Sequence, residues 1–238
     1  MRNDIIAIVC PDIHGRDFWE KIAEEYDGSV PFIFLGDYLD PYGDENITVE
    51  EAKYNFEKIW AFKQKWGDNV ILLLGNHDLS YKDYMFRCCR FSIYSSDWYS
   101  NFLNDHWEDF KIAHNLITDD KTYIFSHAGI HPSWFKENGL EEIYDADYIN
   151  SLFLTHKRAF SDYSGYRGGY LSAGSPVWAD IREFAKVDLQ DDKIMQVVGH
   201  TQLIKDKLEF KNICCIDSRQ TFVITNDNKI EKYLVNNI

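Results

Sequence analysis

Five short stretches of this 238-residue chain set Asp, His or Asn beside glycine. They are Asp12-Ile13-His14-Gly15, Gly36-Asp37-Tyr38-Leu39-Asp40, Gly75-Asn76-His77-Asp78, His127-Ala128-Gly129 and Gly199-His200-Thr201. Their donors are carboxylate, imidazole and one amide, without cysteine. That set suits a hard-to-borderline divalent cation, and it is large enough for two. A carboxylate shared by two ions holds them about 3.5–4 Å apart, the spacing of two-metal hydrolytic sites. Singly, each stretch is ordinary: Asn-His-Asp is common turn chemistry, and an isolated histidine such as His200 is more often a hydrogen-bonded core residue. Independent turns rarely supply metal-ligand types five times in order.

Each stretch follows a predicted strand. Ile5–Cys10 is a short apolar run suited to a buried parallel strand. A helix is expected over Arg16–Tyr26, then a strand at Phe32–Leu35. Thr48 with Glu51 reads as a capping box opening a helix to about Trp66, its apolar stripe being Ala52, Phe56, Ile59, Trp60 and the stem of Lys63. Val70–Leu74 is the third strand. Strand–helix alternation of this kind gives a parallel sheet with right-handed crossovers. The segment at about 80–110 reads as irregular helix rich in aromatics, and Tyr123–Ser126 resumes a strand. From Ile194 short strands follow at Ile194–Val198, Leu208–Phe210, Ile213–Ile216, Phe222–Thr225 and Lys229–Val235. Asn226-Asp227-Asn228 is turn chemistry for an antiparallel hairpin. A parallel first half and an antiparallel second half predict two packed sheets with helices outside. In α/β sheets ligands collect at the carboxyl ends of strands, so the five loops are expected to converge.

Composition bounds the alternatives. With 45% apolar and 16% aromatic residues the chain can bury a large core, and 27% charged residues excludes wholesale disorder. No linker or repeat divides it, so one domain over 1–238 is expected. The net charge of −14 repels phosphate backbones, which argues against nucleic acid as a partner. Apolar runs such as Val70–Leu74 are too short to span a bilayer, and the first residues do not resemble a secretory signal. Five cysteines, at 10, 88, 89, 214 and 215, read as reduced thiols, and a cytoplasmic location is expected.

The ordered set D-x-H, G-D-x-x-D, G-N-H-[DE], H-[AG]-G and G-H-T resembles the calcineurin-like metallophosphoesterase superfamily, from Asp12 to Thr201. The resemblance implies a four-layer α/β/β/α sandwich of two mixed sheets flanked by helices. It implies a hydrolase using two divalent metal ions, Mn²⁺ expected and Fe or Zn as alternatives. Asp12 and His14 would bind the first ion, Asp37 would bridge, and Asn76, His127 and His200 would complete the second. His77 would protonate the leaving oxygen, with Asp40 orienting it.

Three positions depart from that pattern. Pro11 stands where glycine is usual, and Asp78 stands where protein phosphatases have glutamate. Asp40 is followed by Pro41, not by the arginine that clasps phosphate in the phosphoprotein-phosphatase branch. Arg182, Arg16 and Arg167 are the candidates to replace that fork. Asp40 and Ser175-Pro176-Val177-Trp178 resemble bacterial Ser/Thr protein phosphatases, whereas Asn76-His77-Asp78-Leu79 and His127-Ala128-Gly129-Ile130-His131-Pro132 look like the dinucleoside tetraphosphate hydrolases. The expected partner is therefore a phosphorylated substrate: a phosphoprotein, a nucleotide or a small phosphoester. A catalytically inactive scaffold that binds a partner is the reading from another class.

Overall fold

Ile5–Cys10 (β1) is apolar throughout because both its faces are covered: Ala7 and Val9 enter one core, Ile8 and Cys10 another. The computed structural model describes residues 2–234. After β1 come Glu20–Glu24 (α1), Phe32–Phe34 (β2), Val49–Trp66 (α2) and Val70–Leu73 (β3). The three strands pair in parallel, β1 with β2 and β2 with β3. The capping box at the start of α2 has both its bonds, Glu51 amide to Thr48 Oγ1 at 3.1 Å and Thr48 amide to Glu51 Oε2 at 2.8 Å. The buried face of α2 includes Ala52, Phe56, Ile59 and Lys63, whose ammonium reaches forward to donate to the Gly67 carbonyl at the helix end. Burying a ring such as Phe56 contributes about 1.5–3 kcal/mol. The helix expected over Arg16–Tyr26 is shorter, since Gly15 takes φ +80° and the Arg16 amide closes a turn on the Ile13 carbonyl.

Asn76–Lys82 (α3) and Ile93–Asp105 (α4) make up the aromatic-rich segment, followed by Phe110–Lys111 (β4), Ala113–Ile117 (β5) and Thr122–Ser126 (β6). Pro132–Glu137 (α5) and Ala146–Thr155 (α6) were not anticipated from the sequence, although Pro132 sits at a first helical position and Asp145 caps α6 by accepting from the Tyr148 amide. Ile194–Val198 (β7), Leu208–Phe210 (β8), Ile213–Cys215 (β9), Phe222–Thr225 (β10) and Ile230–Lys232 (β11) complete the strands. Val235, the last residue of the expected final strand, lies outside the described residues.

Two mixed sheets result, ordered β11-β10-β1-β2-β3-β4 and β5-β6-β7-β9-β8. They face each other across Ala7, Val9, Ile33, Leu35, Tyr123, Phe125, Val197 and Cys214, and helices cover the outer faces. This is the expected four-layer α/β/β/α arrangement. The division into a parallel first half and an antiparallel second half is corrected. β7 runs parallel to both β6 and β9, while β10 leaves that sheet and pairs antiparallel with β1. Every residue of β10 is buried, so it needs cover on both faces and neighbours on both edges. The free edge of β1 supplies that.

His114, on β5 and opposite Phe125, is mostly buried against the sheet. Burial, aided by the charge of Lys111, lowers its pKa from 6.5 to about 4. The folded state thus takes up its proton less readily than the unfolded chain. The stability this confers is complete above pH 6.5 and is lost as pH falls through 6.5 towards 4. After discounting for the partly solvated ring, the effect is about 1–2 kcal/mol. The difference in unfolding free energy between wild type and His114→Gln should therefore be larger at pH 7.5 than at pH 4.5, measured by urea denaturation. A difference independent of pH would refute it.

Candidate metal centre

All five motif loops meet at one end of the sandwich. Strands β1, β2 and β3 deliver Asp12 and His14, Asp37 and Asp40, and Asn76 and His77; β6 and β7 deliver His127 and His200. The backbone turns abruptly there, and His14, Asp37, Asp40 and His200 all take left-handed conformations, with φ between 44° and 63°. Such strain in non-glycine residues costs free energy and gathers at functional sites. Glycine is required at two neighbours. A Cβ on Gly75 would overlap Asp37 Oδ1 and lie 2.7 Å from His127 Cε1, and one on Gly199 would overlap Asp12 Oδ1.

Two groups of donor atoms share Asp37: Asp12, Asp37, His127 and His200 in one, and His14, Asp37 and His77 in the other. Asp37 Oδ2 lies 3.5 Å from His14 Nε2 and 3.4 Å from His127 Nε2. The tautomers follow from the outer bonds. His14 Nδ1 is 2.8 Å from the Leu39 carbonyl and His127 Nδ1 2.8 Å from the Leu35 carbonyl. A carbonyl only accepts, so both Nδ1 atoms carry hydrogen and both Nε2 atoms turn bare lone pairs inward. There, His127 Nε2 meets Asn76 Oδ1 at 3.1 Å and His200 Nδ1 at 3.0 Å. His200 Nε2 is buried without a partner. Carboxylate and imidazole donor atoms crowd together here, and a cation is what such a cluster fits.

The electrostatics agree. Burial holds the imidazoles of His14 and His200 well below their ordinary pKa, so both are neutral ligands. Burial, reinforced by the charge of Asp37, raises Asp12, and it raises Asp217 with help from Asp12 and Asp37. Several carboxyls thus compete for few positive charges, and added cations would relieve them. The residues present therefore fit two divalent ions. Among the described residues no cysteine joins such a group, and all five thiols are free.

His77 falls by distance in the second group, and its ring is also held from the side away from the other ligands. Its Nδ1 is 2.9 Å from Asp40 Oδ2, and Tyr81 donates its hydroxyl to the other oxygen of Asp40. Burial pulls His77 down, but the charge of Asp37 and the bond to Asp40 outweigh it and hold the ring's pKa well above the ordinary value. Its amide donates to Asp37 Oδ1 at 2.9 Å, fixing the start of α3 to β2.

Two residues were missed in the sequence. Asp78 entered only as a departure, yet its carboxylate accepts from the amides of Gly75, Asp37 and Tyr38 at 2.7–3.1 Å and from the Tyr99 hydroxyl at 3.0 Å. It locks the Gly36–Tyr38 turn to the Gly75 turn, so it positions Asp37. The other is Arg90, from the loop between α3 and α4. Its Nη2 lies 3.1 Å from His77 Nε2 and 3.3 Å from His14 Nε2. No strand end or motif marks it.

The three expected arginines sit around this centre, each already paired with a carboxylate. Arg16 clasps both oxygens of Glu45 and donates to the Asp12 carbonyl. Arg167 donates to Thr201 Oγ1 and pairs with Asp180 at 3.2 Å, bracing the His200 loop. Arg182 bonds Asp180 with two nitrogens, lies over Tyr166 and is mostly solvated, so its side chain is turned to the surface.

Comparison with solved structures supports the fold. A protein serine/threonine phosphatase from Saccharomyces cerevisiae matches 99% of this chain and 81% of its own, at 14% identity and a TM-score of 0.56. A phosphopantetheinyl hydrolase from Mycobacterium tuberculosis matches 90% and 88% at 11% identity, but its TM-score of 0.35 is too low to build on. Sequence places the chain more firmly: the model of the calcineurin-like phosphoesterases matches residues 7–203, which takes in all five ligand-bearing loops, and the chain belongs to that family of phosphoester hydrolases.

Proposed function

We propose that this protein is a dinuclear metal-dependent phosphomonoesterase that hydrolyses phosphate esters, with Mn²⁺ in both sites. The observation that carries the reading is the convergence of two groups of donor atoms on Asp37, with Asp12, His127 and His200 on one side and His14 and His77 on the other. Asp12, His14 and Asp37 would hold one cation, and Asp37, Asn76, His127 and His200 the other. When bound, the pair supplies Lewis acidity, making hydroxide available near neutral pH and neutralising phosphoryl charge.

The remaining chemistry belongs to the protein's own groups. Leu39 and Leu35 carbonyls orient His14 and His127, and Asp78 holds Asp37. His77 carries a proton at Nε2 for the departing oxygen, while Asp40, anchored by Tyr81, holds Nδ1–H and stabilises the imidazolium. This dyad favours an ester over an anhydride. An alkoxide leaving group is strongly basic and needs protonation, whereas a nucleotide phosphate leaves readily without it. A phosphorylated side chain or small alkyl phosphate is thus preferred to a dinucleoside tetraphosphate.

Stripping the protein with chelator should abolish hydrolysis of p-nitrophenyl phosphate, and Mn²⁺ should restore it. Phosphoserine peptide should then be turned over faster than diadenosine tetraphosphate. No turnover with any divalent metal would refute the proposal, and a preference for the tetraphosphate would refute the ester assignment.

A further inference from the structure

We propose that Arg90 binds the non-bridging oxygens of the substrate's phosphoryl group and so replaces the guanidinium absent after Asp40. The assignment rests on the phosphoesterase reading above. It starts from a charge comparison. Of the four guanidiniums around the centre, Arg16 and Arg219 share Glu45, and Arg167 pairs with Asp180. Arg90 has no carboxylate partner among the described residues. It is a solvent-reachable positive charge at the edge of a cluster dominated by buried carboxylates, in a chain of net charge −14.

Its placement is fixed by groups that leave its charge uncompensated. Arg90 Nε donates to the Asp40 carbonyl at 3.3 Å, and the guanidinium lies 3.8 Å over the Tyr42 ring. Tyr42 in turn sets its edge against His14, the ring centroids 5.1 Å apart. The backbone of Arg90 takes φ +58°, which turns the loop back over Asp40. A carbonyl and an aromatic face aim a guanidinium without neutralising it.

The contacts of Nη2 explain what is left for a ligand. A guanidinium can only donate, and the two lone pairs it meets belong to His14 Nε2 and His77 Nε2. The phosphoesterase reading commits the first to a cation and the second to the transferred proton. Neither then remains as an acceptor, and the N–H groups of Arg90 face the gap between metal pair and proton donor. A phosphoryl group whose departing oxygen takes its proton from His77 would occupy that gap. Its oxygens are the acceptors a planar fork fits. Arginine thus returns to the site from a loop fifty residues downstream of Asp40.

The test uses the Mn²⁺-reconstituted protein, with inorganic phosphate as probe in titration calorimetry and p-nitrophenyl phosphate in steady-state assays. Arg90→Ala should weaken phosphate binding by about 10–100-fold with metal content unchanged, the loss expected for charge-assisted hydrogen bonds. Arg90→Lys, which keeps the charge and loses the fork, should fall between the two. Arg87→Ala in the same loop, whose guanidinium lies over Phe91, should stay within twofold of wild type. If wild type binds phosphate and hydrolyses ester while Arg90→Ala binds phosphate within twofold, the Arg90 assignment alone is overturned. If loaded wild type neither binds phosphate nor turns over ester, the phosphoesterase reading fails and takes this inference with it.

Discussion

Asp37→Asn is expected to lose both metals and at least about 10³-fold in kcat/KM, and its melting temperature should no longer respond to Mn²⁺. The activity loss follows from position. Asp37 belongs to both donor groups, so neutralising it weakens two sites at once. A two-metal centre contributes several kcal/mol of charge stabilisation, and each 1.36 kcal/mol is tenfold in rate. Asparagine keeps an oxygen to accept the His77 amide and removes the carboxylate charge. In wild type, bound metal should raise Tm through preferential binding to the native state, and the variant should lack that rise. Elemental analysis and paired melting curves with and without Mn²⁺ read both effects. A variant that keeps two equivalents of metal would remove Asp37 from its bridging role.

His77→Asn should lower kcat by about 10²–10⁴-fold with metal content intact, the usual range for removing a positioned general acid. The loss should depend on the leaving group. Nitrophenolate departs with little help, so p-nitrophenyl phosphate should suffer least, and phosphoserine peptide, which expels an alkoxide, should suffer most. That gradient separates a proton donor from a residue that merely shapes the pocket, which would penalise both substrates alike. It also separates a donor from a metal ligand, since His77 lies within reach of His14 and Asp37 in the second donor group. Retained Asp40–Tyr81 contact keeps the local frame in place when the ring is removed. Metal lost from this variant would make His77 a ligand, and an even penalty across substrates would deny it the proton.

What could be read from the chain were features written within a few residues of one another. Thr48 and Glu51 are three positions apart, and both bonds of their capping box form. The runs at β1, β2 and β3 are apolar because both faces of a covered parallel sheet are dry, a property each strand carries by itself. A glycine beside a ligand marks a turn that tolerates no Cβ, as at Gly75 and Gly199. The missing arginine after Asp40 was equally plain.

The sequence by itself determined the alternation of strands and helices, the five ligand-bearing turns and the family to which they point. Each depends on backbone preferences and side-chain types acting over one turn of chain. Only the tertiary structure decided that β10 closes the edge of β1, that Asp78 ties two turns together, and that Arg90 rather than Arg182 comes to lie against His77. Those outcomes depend on which distant edge remains unpaired and where a loop is carried by the helices it joins. No local pattern encodes either, because the partners meet only after the two sheets have packed.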